Sequence, residues 1–207
     1  MRVAVLITVF LQSIFVGVHP AHSNTTVPWK VALEDEGITV YKRNRVASPY
    51  EEVRAEALLE GTVSQFTPFF SDPVNYKKWV YGALETQLLE SAQPFDFVFR
   101  GVFQIPWPFE NRELISRVVL SEQNNPAMIT ATLSHAITSY KKSQDLVRVE
   151  HFESLWSVVQ ESERRVRFSI NMYVEPGGQL PPFIVNLVLS RIQLWSIKNL
   201  RRELTER

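Results

Sequence analysis

The chain of 207 residues has no cysteine, only seven glycines and four histidines, and its 22 basic and 22 acidic side chains balance to a formal charge of zero. Without cysteine there are no disulfides, thiolate metal sites, cysteine nucleophiles or lipid-modified N-terminus, so an exported form must hold together by packing alone. Neither a GxSxG elbow nor a glycine-rich phosphate loop is present, which removes two common signatures of nucleophilic and phosphoryl chemistry. The balanced charge removes the electrostatic footprint of a nucleic-acid binder.

What is present begins with an apolar leader. Arg2 provides a short positive start, Val3 to Val18 is mostly apolar, and Ala21-His22-Ser23 offers small residues where a signal peptidase reads. Cleavage after Ser23 is expected, with residues 1–23 a signal peptide and residues 24–207 the mature domain. An uncleaved anchor is the rival reading, but Gln12 and Ser13 interrupt the run and spanning needs about 20 predominantly apolar residues. Loss of the leader removes His19 and His22, leaving His135 and His151, with Glu153 as a third candidate ligand. That is short of the four ligands of a closed zinc site, so neither metal nor cofactor is expected.

The mature chain is long enough for one well-buried core. Trp29 to Asp35 reads as a short helical turn, and Ile38 to Tyr41 and Tyr50 to Leu59 as strands around a loop at Asn44 to Pro49. Thr67 and Pro68 suit a helix start, Phe66, Phe69 and Phe70 form its apolar stripe, and Asp72-Pro73 breaks it before a second turn ending near Trp79. From Leu84 to Val174 the period is two. Phe95, Phe97, Phe99 and Phe103 share one parity, as do Ile129, Ala131, Leu133, His135 and Ile137, and again Val166, Phe168, Ile170, Met172 and Val174. Turn signals at Ser91 to Pro94, Asn124 to Pro126, Lys141 to Asp145 and Glu161 to Glu163 make the connections antiparallel. Pro176-Gly177-Gly178 stops the last strand. From Pro182 to the terminus Ile184, Leu187, Val188, Ile192, Trp195 and Leu204 give a long amphipathic helix. The expected class is α+β: a curved antiparallel sheet with the last helix across it, burying either a solid core or an apolar cavity.

These residues also carry a resemblance. Trp29 with Ile38, Val40 and Tyr41, then Asp72 with Trp79, then PWPFENRE (Pro106 to Glu113), then PGGQLPPFIVN (Pro176 to Asn186) and a terminal helix containing LRREL follow one another as in START domains, the steroidogenic-acute-regulatory-related lipid-transfer family. The resemblance runs from about Trp29 to the terminus. It implies a helix-grip fold around a tunnel for one phospholipid, fatty acid or sterol-like lipid, carried without chemistry. Arg112-Glu113 stands where the family usually has Arg-Asp. The acid that animal sterol-binding members place on the preceding strand has no counterpart here: in FDFVFRGVF, Asp96 and Arg100 have the parity opposite to the phenylalanines.

The ligand-binding candidates are therefore Phe97, Phe99, Phe103, Leu133, His135, Phe168 and Met172 on the sheet, Trp107 and Arg112 in PWPFENRE, and Phe183, Leu187 and Trp195 on the helix. Arg112 has a forked guanidinium suited to tying carbonyls or a carboxylate where a loop enters a strand, and the structural role is preferred to a headgroup contact. Glu110 and Glu113 beside it read as a salt-bridged loop before an acid–base pair. Trp107 is free to face inward as wall or outward as a membrane-touching tip. The partners expected are a lipid or other hydrophobic small molecule and, transiently, a membrane; no nucleic acid is expected, and the chain reads as a monomer in the periplasm, with secretion as the alternative. A cyclase-like enzyme acting in the same cavity is the alternative function, and His135 is the one inward-parity residue that could serve it.

Overall fold

The computed structural model describes residues 27–206; the expected signal peptide, residues 1–23, lies outside the described residues. Strands β1 (Lys30–Asp35), β2 (Ile38–Asn44) and β3 (Glu51–Glu60) come first, followed by α1 (Val63–Ser71), a 3-10 turn (Pro73–Asn75) and α2 (Tyr76–Trp79). Then come β4 (Ala83–Gln93), β5 (Asp96–Phe103), β6 (Arg112–Asn124), β7 (Ala127–His135), β8 (Val147–Val149), β9 (His151–Ser162), β10 (Arg165–Glu175) and α3 (Pro182–Thr205). The order in the sheet is β1-β2-β3-β10-β9-β7-β6-β5-β4, with each neighbouring pair antiparallel, and β8 pairs parallel with the start of β6. This is the α+β helix-grip arrangement expected, with α3 packed on β1, β2 and β3 at one edge and on α2 at the other.

The period-two runs became strands whose apolar parity is buried: Phe97 and Phe99 on β5, Ile129, Ala131 and Leu133 on β7, and Val166, Phe168 and Ile170 on β10. Apolar residues of this parity meet across neighbouring strands, as Phe168 meets Val158 and Leu133 meets Val118, and such cross-strand pairs stabilise a sheet. Phe95 lies in the turn before β5 and Ile137 past the end of β7, and both are exposed. Gly101, between Phe99 and Phe103, leaves space for both rings: a Cβ there would lie 2.8 Å from the Phe103 ring and 3.2 Å from the Phe99 ring.

Two expectations are corrected. Lys30 to Asp35 is an edge strand, not a helical turn: the left-handed Glu36-Gly37 pair folds it back on Ile38 to Lys42, and this two-residue hairpin turn outweighs local helical pattern. Helix α1 begins at Val63, a turn earlier than Thr67. Thr62 precedes it and gives its backbone N–H to Gln65 Oε1 at 2.8 Å, a capping-box contact. Pro68 therefore sits inside the helix, where it removes the bond that its nitrogen would give to Ser64. The segment between β7 and β8 also does more than turn. It leaves the sheet at Ala136, crosses the outer face of β5 and β6, and returns to pair with β6 at Arg112 to Leu114.

Candidate functional site

An apolar cavity of about 150 Å³ lies between the concave face of the sheet and α3. Its floor is aromatic. Trp79 and Trp156 meet edge to face at 4.8 Å between ring centres, and Tyr76 packs edge-on against Phe99 at 5.1 Å and against Trp156 at 5.3 Å. Such tilted contacts suit the ring quadrupoles and hold the floor rigid. The Tyr76 hydroxyl donates to the Phe70 carbonyl, and burial, with a smaller contribution from Asp72, pushes its pKa well up, so it remains a neutral donor. The roof is the inward side of α3, including Val185, Leu189, Gln193 and Ser196. The lining residues that reach solvent, Tyr81, Gln104 and Pro106, mark the mouth opposite Ile184, Val188 and Ile192 of the helix.

Of the residues singled out in the sequence, Phe99, Phe103, Arg112, Leu133 and Met172 line this cavity. The others do not. Phe97 is buried farther along β5. Phe168 packs behind the floor, its ring 6.1 Å from Phe66 and 6.2 Å from Phe70. His135 sits half-buried at the end of β7, and its Nδ1 finds no hydrogen-bond partner in the sheet because the chain departs at the next residue. Trp107 is 91 % exposed at the tip of the β5–β6 turn, so it is not cavity wall. Phe183, Leu187 and Trp195 are exposed on the outer side of α3. The first turns of α3 are apolar all round, so their pattern alone could not say which side faces in.

Trp79, Trp156 and the Val185–Leu189–Gln193 stripe were missed. Trp156 carried a legible signal, because Phe152, Ser154, Trp156 and Val158 alternate inward along β9. The helix stripe carried none, since Phe183 and Leu187 are as apolar as Val185 and Leu189.

Arg112 and Glu113 occupy opposite faces of β6. Arg112 is buried, and its three nitrogens each donate to a main-chain carbonyl: Nε to Pro176 at 3.0 Å, Nη2 to Gly177 at 2.9 Å, and Nη1 to Glu110. Gly177 and Gly178 are both left-handed, at φ +66° and +64°, and Arg112 Nη2 stands 3.3 Å from where a Gly178 side chain would begin. Only glycine takes this turn without strain, and the turn delivers two of the carbonyls. Burial lowers the Arg112 pKa, partly offset by Glu110 and Tyr50, but a guanidinium stays charged.

Glu113, fully buried on the outer face, accepts from Arg100 Nε at 2.5 Å, Arg148 Nε at 2.8 Å and Ser143 Oγ at 3.2 Å. Arg100 also reaches Glu85 at 3.0 Å. Burial raises the Glu113 pKa, but hydrogen bonds from Arg100 and Arg148 and then their charges outweigh it, and the net shift is downward. Burial likewise opposes the charge on Arg100, and Glu113 and Glu85 more than restore it. This is the salt-bridged reading of the cluster, with Glu113 rather than Arg112 at its centre. Among the described residues, no three His, Asp or Glu side chains gather as metal ligands, and no helix is long and apolar enough to cross a membrane.

No protein-family model matches the chain. It is similar to an uncharacterized protein of Pseudomonas aeruginosa, 22 % identical over 173 residues that cover 84 % of this chain and 85 % of that one. It is also similar to the phosphatidylcholine transfer protein of Mus musculus, 22 % identical over 179 residues, covering 84 % and 79 %. Among solved structures, a STAR-related lipid transfer protein from Xanthomonas axonopodis superposes with a TM-score of 0.78 at 24 % identity, over 86 % of this chain and 98 % of that one. Human StAR-related lipid transfer protein 5 superposes with 0.77 at 17 % identity, over 86 % of each. The helix-grip fold of this chain is thus the fold of the STAR-related lipid transfer proteins, the START family that its sequence resembles.

Proposed function

We propose that the protein binds one hydrophobic molecule in this cavity and carries it through an aqueous compartment of the cell envelope, with the expected signal peptide directing export to the periplasm. The observation that carries the reading is the apolar space between α3 and the sheet, walled by aromatic and aliphatic side chains and open at one mouth. Burying an acyl chain gains about 0.8 kcal/mol per methylene, so such a space competes with a bilayer without catalysis. Among the described residues the one charged group on its lining is Arg112, held by three carbonyls. Cyclase-like chemistry would need an acid or base facing the cavity, and His135 does not line it.

Exchange of the ligand requires contact with a membrane and an opening. The exposed Trp107, Phe183, Leu187 and Trp195, the last stacked on Tyr81 at 6.2 Å, flank the mouth and suit a membrane interface. Asn186 clips the entry end of α3 to the start of β3 and the loop before it, accepting from Glu51 N at 2.9 Å and donating to the Pro49 carbonyl at 3.1 Å. Releasing that clip lets the helix or the Asn44 to Pro49 loop swing away. The protein works as a monomer. Native mass spectrometry of the purified chain, before and after incubation with lipid vesicles, tests the reading: one bound lipid per monomer is expected, and a chain that stays empty would refute it.

A further inference from the structure

The polar groups of the cavity narrow the kind of lipid it takes. Gln193, on the inward side of α3, lines the cavity and is 3 % exposed. Its hydrogen bond is from Nε2 to Sδ of Met172 at 2.9 Å, and a thioether sulfur is a weak acceptor. An amide has two N–H donors and a carbonyl with two lone pairs, so most of this capacity meets no protein oxygen or nitrogen. Buried polar groups are as a rule hydrogen-bonded. Met172 faces Ser154 across the β9–β10 ladder, and Ser154 Oγ donates to the Asn171 carbonyl at 2.9 Å, which leaves its own lone pairs to accept. Gln193, the Met172 sulfur and Ser154 therefore form one uncharged polar spot in an apolar wall.

The charges point the same way. Arg112 is the one cation on the lining among the described residues, and each of its nitrogens is already directed at a main-chain carbonyl. Arg100 and Arg148 lie on the other face of the sheet, paired with Glu113. A phosphate or carboxylate drawn inside would lose its hydration without a cation free to replace it. Size agrees: the cavity, at about 150 Å³, matches an apolar cavity of roughly 150 Å³ that takes up benzene, which suits one slender body better than two acyl chains.

Resting on the carrier reading above, we infer that the cavity selects an uncharged lipid bearing a hydroxyl or carbonyl oxygen, which Gln193 receives beside Met172 and Ser154. A hydroxyl donates to Gln193 Oε1 and accepts from Nε2; a carbonyl accepts from Nε2. Phosphatidylcholine, with its phosphodiester, is disfavoured on this ground.

The test uses the full chain stripped of lipid and loaded with Nile red, an uncharged apolar dye. Dodecanol, dodecane and dodecylphosphocholine, the last kept below its micelle-forming concentration, then compete for the site. Dodecanol is expected to displace the dye at a concentration at least about tenfold lower than dodecylphosphocholine. In Gln193→Leu, dodecanol should weaken by about tenfold, the loss of one neutral hydrogen bond, and fall to the level of dodecane, while the dye still binds. Gln193→Met, closer in shape, is the second variant should the first fold poorly. The inference fails if dodecylphosphocholine competes as well as dodecanol, or if dye-binding Gln193 variants take dodecanol unchanged; the carrier reading survives both results. A wild-type chain that takes up neither dye nor any competitor overturns the carrier reading, and this inference with it.

Discussion

Arg112 and Glu113 are adjacent in the chain, both buried and both ionic, yet they belong to two different regions. Arg112 faces the cavity and gives its hydrogen bonds to carbonyls of two turns, which leaves a charge in the wall but no ion pair. Glu113 faces the outer surface and sits between two guanidinia under the segment that joins β7 to β8. The inner face keeps its interior apolar by satisfying its one charge with backbone. The outer face concentrates charge and covers it with a strap. Ligand binding is therefore assigned to one side of β6 and much of the ionic stabilisation to the other.

The largest way to break that division is Glu113→Ala. Removing one partner of a buried ion network leaves the others uncompensated and costs about 3–5 kcal/mol, read as a lower urea midpoint. The folded fraction should still bind ligand at the same stoichiometry; if binding is lost with the fold intact, the two faces are coupled. The depressed pKa of Glu113 adds a pH test. Its stabilisation is fully present above the ordinary carboxylate pKa of about 4.3 and is lost as pH falls through the lower folded value. Glu113→Gln should flatten the acid limb of a stability-versus-pH curve.

Arg112→Ala comes next, at about 1–3 kcal/mol, because it leaves buried carbonyls without donors. Unlike Glu113→Ala, it should also speed ligand loss, measured by dye release, since the Pro176–Gly178 turn forms part of the cavity wall. Asn186→Ala removes two hydrogen bonds from the clip on α3. It is expected to cost about 1 kcal/mol and to raise the ligand exchange rate several-fold, and equal rates would place the opening elsewhere. Trp107→Ala, at a site 91 % exposed, should change stability by no more than about 0.5 kcal/mol. Its effect should show in slower transfer of lipid from vesicles, and an unchanged transfer rate would separate this tryptophan from the membrane.

The strands were legible because alternation with period two reports on one buried face without reference to partners, as in Val166 to Val174. The Arg112 role was legible too, since a guanidinium at the entry to a strand, followed in the fold by a Pro-Gly-Gly turn, has carbonyls within reach. Helix α3 was legible as a helix but not as a face: with apolar residues on all sides of its first turns, only the position of the sheet made Gln193 inward and Leu187 outward. The same holds for Trp107, which local chain geometry left free to point either way.

By itself the sequence determined the antiparallel strands, their apolar parity, the long terminal helix and the family resemblance, because these rest on local periodicity, turn residues and motif order. Tertiary structure alone decided that Lys30 to Asp35 is a strand, that residues 136–146 cover Glu113, that Trp79 joins Trp156 in the cavity floor, and that a buried glutamine of the roof has a thioether sulfur as its hydrogen-bond partner. Each of those depends on which distant segment supplies a hydrogen bond or excludes water, and that information exists only once the chain has closed on itself.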